Sequence, residues 1–487
     1  MRTPLTDLLG IEAPLVGFNR SPGVVASVSR AGGLGVLAAT AYTPAELDAQ
    51  LTWIEGQLDG RPYGVDLLVP GRTAVGDPDD LVASLRAQIP EEHIRFVDEL
   101  LARYDIPPAT GPVGSAGGLV ANLDPSGVPA LLDVVFAHPI ALIANALGTP
   151  PPTLVERGKA AGVAVASLVG KPEHARRQLD AGVDVLVAQG TEAGGHTGTI
   201  ATMILTPEIV DLAGEVPVLA AGGIATGRQM AAALALGAAG VWCGSVWLSS
   251  HEDITPDSVK RKFLAATSSD TLRSPTRTGK PARQLRSAWH DEWERPGSPS
   301  PLPMPLQPML IAKAWHRIDE AAATGHPGAT ALESFFIGQV VGAFAELRPA
   351  EEIARRIVAD CAARLTELGA LAEDAPAPHP SRAGPGRAAT AGRYLFEVIN
   401  QTYGWYPVTP PGRKPTPCAQ WSPARSPPTA RPPRWTSWTY RSRFRRPARC
   451  GSASGPRRST TTTCGRCAGS GWTRAGCRSC SARTSRG

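Results

Sequence analysis

One glycine-rich loop carries the residue types best suited to catalysis in this chain. An apolar run over residues 183–189 leads directly into Gly190-Thr191-Glu192-Ala193-Gly194-Gly195-His196. Glycine lets the backbone approach a flat ligand closely and adopt positive φ, and histidine is the side chain that most readily moves a proton near neutral pH. The loop predicts a catalytic His196 beside a planar ligand. From the loop alone, a tight turn with an incidental surface histidine is an equal interpretation.

Two further glycine turns predict a phosphate site. Each follows an apolar run: Gly222-Gly223 after residues 216–221, and Gly244-Ser245 at the end of residues 240–245. Backbone N–H groups in such turns bind phosphate, helped by a helix N-terminus. The glycines would also suit ordinary strand-to-helix turns. Two of them at successive strands favour a phosphomonoester ligand.

The elements that must position these loops follow an alternating pattern. Short apolar runs alternate with amphipathic stretches, which is typical of βαβ units and a parallel sheet. Eight units close into a (β/α)₈ or TIM barrel, whose active site forms from the loops after the strands. We therefore predict an α/β TIM barrel over residues 1–250. The predicted strands are 14–18, 35–39, 63–69, 140–145, 163–169, 183–189, 216–221 and 240–245, and the predicted helices are 22–30, 43–58, 153–161, 172–181, 207–213 and 227–236.

Two segments are additional to the eight βα units of a simple barrel. Residues 70–137 are predicted to be an insertion after the third strand, with a helix near residues 91–104. Residues 251–373 are predicted to be a helical cap that completes the active site. The cap helices are expected at residues 311–324, 332–344 and 350–371.

The end of the chain differs from the rest in composition. Residues 376–487 hold 20 of the 49 Lys and Arg residues but only one of the 43 acids, Glu397. After Val408 the chain contains no Ile, Leu, Val, Met, Asp, Glu or Asn, so this segment lacks the residues that build a core. We predict that residues 374–487 are a linker and a disordered basic tail. Out-of-frame translation of GC-rich DNA explains this composition, and a genuine basic tail is the alternative.

Composition also limits the partners. Cys464-x-x-Cys467 and Cys477-x-x-Cys480 suggest zinc, but the gap between them is shorter than zinc sites use, and no metal is predicted. The arginine run 441–446 is interpreted as a solvated charge run, so nucleic acid is not an expected partner. No apolar stretch reaches the length of a membrane span, and residues 1–10 lack a signal-peptide pattern. We expect a cytoplasmic protein, with a homodimer through the helical region as one arrangement.

These segments together resemble the nitronate monooxygenase family, formerly called 2-nitropropane dioxygenases. The family is similar to flavin-dependent enoyl reductases and to NADH:quinone reductases. The resemblance covers about residues 1–370. It rests on residues 29–35, 62–66, the Glu192–His196 loop, both glycine turns, and the segments 278–283 and 337–342.

The resemblance implies FMN as the cofactor and a role for each matching position. His196 matches the catalytic histidine. Asp66 stands where relatives often have Asn, and an ionised Asp cannot donate a hydrogen bond to flavin. Relatives of the quinone reductase branch have a Lys where this chain has Leu168, with Lys171 three residues on. The cofactor-binding positions implied are Gly17, Phe18, Asn19, Asp66, Gln189, Gly194, Gly195, Ala221, Gly222, Gly223, Gly244 and Ser245.

The implied activity is FMN-dependent oxidation of nitronates, the anions of nitroalkanes, with O₂. The alternative enzyme is an NAD(P)H-dependent flavin reductase of quinones or enoyl thioesters. The alternative outside enzymes is a flavin-binding or nucleic-acid-binding module without turnover. In both enzyme interpretations the cofactor carries the redox chemistry, and the protein supplies position and protonation.

Overall fold

Eight parallel strands close into the predicted barrel. The computed structural model describes residues 1–373 except residues 41, 70–77, 112–126 and 147. The barrel order is β1-β2-β3-β4-β5-β6-β8-β9, and β9 pairs with β1 to close it. The barrel strands are Leu15–Asn19 (β1), Leu34–Ala38 (β2), Tyr63–Leu67 (β3), Leu142–Asn145 (β4), Ala164–Val169 (β5), Val185–Gln189 (β6), Val218–Ala221 (β8) and Gly240–Cys243 (β9). The TIM-barrel prediction is confirmed.

A helix follows each barrel strand and covers its outer face. The chain begins with helix Pro4–Leu9, which ends at Gly10 in the left-handed conformation. The outer helices are Pro22–Arg30, Pro44–Glu55, Gly127–Ala137, Pro152–Ala161, Pro172–Asp180, Thr202–Ala213, Gly227–Ala235 and Ala350–Glu373. Apolar side chains fill both the barrel interior and the layer between strands and helices, as expected for a sheet covered on both faces.

The last helix, which was predicted as part of the cap, packs instead among the outer barrel helices. Ala350–Glu373 packs against Gly227–Ala235 and Pro22–Arg30, the helices that follow the seventh and first barrel strands. A Cβ on Gly227 would lie 2.3 Å from the Cys361 nitrogen, which shows how closely the helices approach. This helix therefore occupies the position of the eighth barrel helix, and residues 244–349 are inserted between the eighth strand and its helix.

The inserted region contains both helices and sheet. It includes short 3₁₀ turns at Ser245–Ser249, Ser268–Asp270 and Gln339–Ala343, and the helices Asp257–Ala265, Ala288–Trp293, Leu306–Ala323 and Pro327–Leu332. Strands Thr271–Ser274 (β10) and Ala282–Leu285 (β11) form an antiparallel sheet with Gly195–His196 (β7). The cap is thus not purely helical. The predicted helix 332–344 is wrong, because the chain ends one helix at Leu332 and makes only a 3₁₀ turn near Val341.

The insertion after β3 contributes to the same cap. It contains helices Pro78–Ala87 and Glu91–Arg103. Apolar residues of the second helix, such as Leu100, pack with Trp289, Trp293 and Trp315 of the C-terminal insertion. Tyr104 donates a hydrogen bond to Glu292 at 3.1 Å. The two insertions therefore share one apolar core, which we call the cap core.

Candidate active site

The inward-facing residues at the carboxyl ends of the barrel strands form the floor of the candidate site. Alternate strand residues point inward, and Phe18, Leu168 and Ala221 pack with the inner barrel core. Asp66 and Gln189 share that side because they lie two residues beyond the inward positions 64 and 187. Phe18 stacks on Trp242 with ring centroids 5.7 Å apart. The floor is therefore mostly apolar, with one carboxyl group and one amide.

Asp66 is the buried polar group of this floor. Its residue is 4% exposed, and Oδ1 has no hydrogen-bond partner among the described residues. Burial raises the pKa of Asp66 well above its ordinary value. A neutral carboxyl group can donate a hydrogen bond, as an Asn amide can. Burial therefore favours the form of Asp66 that can contact a flavin as a donor, as the Asn of relatives would.

The glycine turn after β8 takes a conformation that favours glycine. Gly222 has φ +94° and Gly223 has φ +73°. A Cβ on Gly222 would lie 3.0 Å from the Gly190 oxygen, so this turn packs directly on the loop that follows β6. The backbone N–H of Gly223 has no acceptor within the described part of the chain. This group is free to bind a ligand.

The turn after β9 supplies a second donor. Ser245 begins a 3₁₀ turn, so its backbone N–H has no partner within that turn. Its side-chain Oγ accepts a hydrogen bond from the Gly338 N–H at 2.8 Å, and the hydroxyl proton remains available. A Cβ on Gly244 would lie 3.7 Å from the Phe18 ring, at the edge of the floor.

Glu192 holds the loop that carries His196. Its carboxylate accepts a hydrogen bond from the Thr202 N–H at 2.9 Å, at the first turn of helix Thr202–Ala213. A carboxylate is favoured at this end of a helix because the first N–H groups carry partial positive charge. The Thr202 hydroxyl lies 2.9 Å from Glu192 Oε2 and 2.9 Å from the Gly222 oxygen. Thr202 therefore joins the catalytic loop to the glycine turn.

The hydrogen bond between Glu192 and Thr202 also explains why the predicted start of this helix was wrong. The predicted helix began at Pro207, a residue common at the first helical position. The helix instead begins at Thr202, and Pro207 lies inside it. Its first turn is stabilised from outside by Glu192, a contact that the local sequence does not predict.

His196 lies on β7, the short strand that joins the loop to the cap sheet. In the register, His196 pairs with Ala282 and Gly195 with Arg283. Nε2 of His196 lies 2.8 Å from Oγ1 of Thr278. Partial burial of the imidazole, and then the charge of Lys280, lower the pKa of His196 below its ordinary value. A lowered pKa favours the neutral imidazole, which is the form that can accept a proton.

The adjoining glycines have different surroundings. Gly195 has φ +76°, and a Cβ there would have no neighbour within 4 Å, so it faces open space. Gly194 packs against the cap, because a Cβ would lie 2.9 Å from the Gly338 nitrogen. The Gln339 N–H donates a hydrogen bond to the backbone oxygen of Glu192 at 2.9 Å. Residues 337–339 thus hold the loop from the cap side.

Three sequence-predicted positions face away from the floor or serve the fold. A Cβ on Gly17 would lie 2.7 Å from Val28, so Gly17 allows the outer helix to pack closely. The Asn19 side chain donates to Asp253 at 2.9 Å and accepts from the Ser21 N–H at 2.7 Å. Only the backbone of these two residues is available to a flavin. Arg283, from the segment 278–283 that contributes to the resemblance, donates to the Thr191 backbone oxygen at 2.9 Å and so serves the fold.

The remaining sequence predictions concern metal, membrane and tail. Among the described residues, no group of His, Cys, Asp and Glu is arranged to hold a metal ion. No helix in the same residues has the length and apolar character of a membrane span. The CxxC pairs, the arginine run and the predicted tail 374–487 lie outside the described residues.

Comparison with known proteins identifies the family. The sequence model of nitronate monooxygenase matches residues 2–360. The chain belongs to the nitronate monooxygenase family. Membership makes it an oxidoreductase of a flavin-dependent family, and the resemblance predicted from the sequence is confirmed.

Three relatives show the breadth of this family. A Mycobacterium tuberculosis protein with the provisional name monooxygenase Rv1533 is 54% identical over 77% of this chain and 100% of its own length. The (3aS,4S,5R,7aS)-5-hydroxy-7a-methyl-1-oxo-octahydro-1H-indene-4-carboxyl-CoA dehydrogenase of Rhodococcus jostii is 30% identical over 76% of this chain and 99% of its own. The crystal structure of nitroalkane oxidase from Streptomyces ansochromogenes matches with a TM-score of 0.60 and 27% identity, over 75% and 99%.

Proposed function

We propose that this protein oxidises nitronates with O₂ and uses FMN as its cofactor. The observation that carries the proposal is the position of His196, held by Thr278 at 2.8 Å at the mouth of a barrel whose floor and glycine turns fit a flavin. The choice of a nitronate as the substrate rests on the family resemblance, and the similarity to a nitroalkane oxidase is consistent with that choice.

The residues at the mouth fit FMN on two observations. Asp66 leaves a buried polar atom without a partner in the floor, where a flat ligand with polar edges would supply one. The N–H groups of Gly223 and Ser245, with the Ser245 hydroxyl, would hold a terminal phosphate. Gly222, Gly244 and Gln189 would border the ligand, and Phe18, Ala221 and Leu168 would provide apolar contact. When bound, the flavin would supply the electron transfer between substrate and oxygen.

The protein's own part in the reaction is substrate orientation and proton handling. His196 in its neutral form would accept a proton from a nitroalkane carbon or donate a hydrogen bond to the nitronate oxygens. Lys280 adds positive charge next to His196 and favours an anionic substrate. A positioned acid or base of this kind contributes about 10²–10⁴-fold to rate.

An NAD(P)H-dependent reductase of enoyl thioesters is the second candidate. The Rhodococcus relative is named as a dehydrogenase of a carboxyl-CoA compound and is matched over 99% of its length, which supports a CoA thioester as the substrate class. The quinone reductase branch has less support, because Leu168 takes the position of its lysine. Leu168 packs with the inner barrel core, and Lys171 lies beyond the strand at the start of helix Pro172–Asp180.

The direct test is oxygen consumption by the purified flavoprotein with propionate-3-nitronate. We expect turnover of the nitronate by the parent protein. With a neutral nitroalkane, whose carbon must first lose a proton, we expect a loss of about 10²–10⁴-fold in His196→Asn, with bound flavin retained. His138→Asn is the matched control. His138 precedes β4, at the amino end of that strand, and its ring contacts Glu55 and Asp48 rather than any residue of the candidate site. Equal turnover by parent and His196→Asn would refute the role of His196, and no turnover by the parent would refute the nitronate assignment.

A further inference from the structure

A chain of short polar contacts ends on the ring of His196. Thr278 Oγ1 lies 2.8 Å from His196 Nε2 and 2.9 Å from the backbone oxygen of Lys280. The Lys280 N–H is 3.4 Å from the same hydroxyl. Nδ1 of His196 has no hydrogen-bond partner among the residues that the structure describes. The two ring nitrogens therefore have different surroundings.

The Thr278 hydroxyl has one proton to donate, and two candidate acceptors lie near it. If it donated to His196 Nε2, then Oγ1 and the Lys280 oxygen would face each other at 2.9 Å with no proton between them. If it donates to the Lys280 oxygen, its lone pairs accept the Nε2 proton of His196. Only the second arrangement places a proton in both short contacts.

The turn that carries Thr278 is held firmly. The Thr278 and Gly279 N–H groups donate to the Pro275 oxygen at 3.2 and 2.7 Å. Gly279 has φ +77°, and a Cβ there would lie 2.3 Å from the Met304 nitrogen. The turn thus packs against residues 302–304, and the pairing of β11 with β7 keeps it beside His196. A hydroxyl on such a turn is fixed before any substrate arrives.

We propose that Thr278 is a positioning residue that fixes His196 as the Nε2–H tautomer and leaves the Nδ1 lone pair as the proton acceptor. The tautomer follows from the contacts alone. The use of Nδ1 as the base toward substrate rests on the proposed function. Other hydrogen bonds of neutral histidines fix tautomers in the same way, because one ring nitrogen donates and the other accepts.

The tautomer is measured by NMR on the full chain with ¹⁵N-labelled histidine rings, with the His196 signals assigned by their loss in His196→Asn. We expect a protonated Nε2 and an unprotonated Nδ1 near pH 7.5. Thr278→Val should give a mixture of tautomers, and Thr278→Ser should restore the parent pattern. Thr276→Val is the control, since the Thr276 hydroxyl contacts Ser274 at 3.0 Å rather than His196.

The kinetic readout separates positioning from loss of fold. With a neutral nitroalkane, whose carbon must first lose a proton, Thr278→Val should lower kcat by about 10-fold with little change in KM, and Thr278→Ser should recover it. A protonated Nδ1 in the parent protein would overturn the proposal, and this result needs no variant that folds poorly. An unchanged tautomer in Thr278→Val would also overturn it. The predicted tautomers with no nitronate turnover would support Thr278 and refute the proposed function alone.

Discussion

The barrel and the cap contribute different kinds of groups to the site. The barrel provides apolar side chains, the buried Asp66 carboxyl group and turn backbone, all from residues close to the ends of strands. The cap provides contacts that hold His196, through Thr278, Lys280 and residues 337–339. Cofactor binding should therefore depend on the barrel, whereas proton handling should depend on the cap.

The largest expected effect is on the barrel side, at Gly222. Gly222→Ala would place a side chain 3.0 Å from the Gly190 oxygen at φ +94°, which adds strain of about 1–2 kcal/mol and a steric cost of about 1–3 kcal/mol. We expect loss of bound flavin, measured by the ratio of flavin to protein absorbance. Gly162→Ala is the control, with φ +68° and open space around its Cβ, and it should keep full flavin content. Full flavin content in Gly222→Ala would contradict the barrel's role.

The next effect concerns the hydrogen bond between Glu192 and Thr202, which holds the loop that carries His196. Glu192→Ala leaves the Thr202 N–H without its carboxylate, at a cost of about 1–3 kcal/mol, and should reduce turnover because the loop loosens. Glu46→Ala is the matched control, since Glu46 accepts the Thr43 N–H at 2.8 Å on a remote helix. Equal turnover of both variants in steady-state assays would show that the anchor does not serve catalysis.

These two variants also show what the sequence could predict. The apolar runs predicted all eight barrel strands to within a few residues, because buried apolar residues dominate each strand. Gly222 directly follows β8 and His196 lies in the loop after β6, so their positions at the carboxyl ends of the strands were predictable. Thr278 and Glu192 were not assigned roles, because their partners are set by tertiary structure. Thr278 lies 82 residues from His196, and the short polar strand Thr271–Ser274 has little apolar pattern to reveal it.

The helix at the end of the barrel illustrates the same limit. Residues 350–371 were correctly predicted to be helical, since Ile353, Ile357 and Cys361 recur at helical spacing. The sequence did not show that this helix belongs to the barrel ring rather than to the cap. Its partners, Gly227–Ala235 and Pro22–Arg30, are more than 100 residues away along the chain.

A smaller effect tests the protonation of Asp66 in the protein without bound flavin. Because the folded-state pKa is raised, the unfolded chain loses its proton first, and this carboxyl group lowers stability as pH rises above its ordinary pKa. Asp66→Asn removes that effect, so its stability relative to the parent should increase from pH 4 to pH 7 in thermal unfolding. Asp270→Asn should show the opposite trend at lower pH, losing stability relative to the parent as pH rises toward the ordinary pKa, since hydrogen bonds from Thr267 lower the pKa of Asp270. If the stability of Asp66→Asn relative to the parent did not change with pH, Asp66 would be ionised in the folded protein.

The smallest effect concerns Lys280. Its charge contributes to the lowered pKa of His196, so Lys280→Met should raise that pKa. The acidic limb of the pH profile of kcat/KM should then move to higher pH. The shift should shrink at high salt, because screening weakens exposed charges. An unmoved limb would show that another group controls the profile.

The central claim is tested most directly by anaerobic reduction of the bound flavin. The purified protein is mixed without oxygen with propionate-3-nitronate in one sample and with NADH or NADPH in others, and flavin absorbance is followed. We predict bleaching by the nitronate and none by the nicotinamides. Bleaching by NADH or NADPH alone, with no response to the nitronate, would contradict the account and favour the reductase.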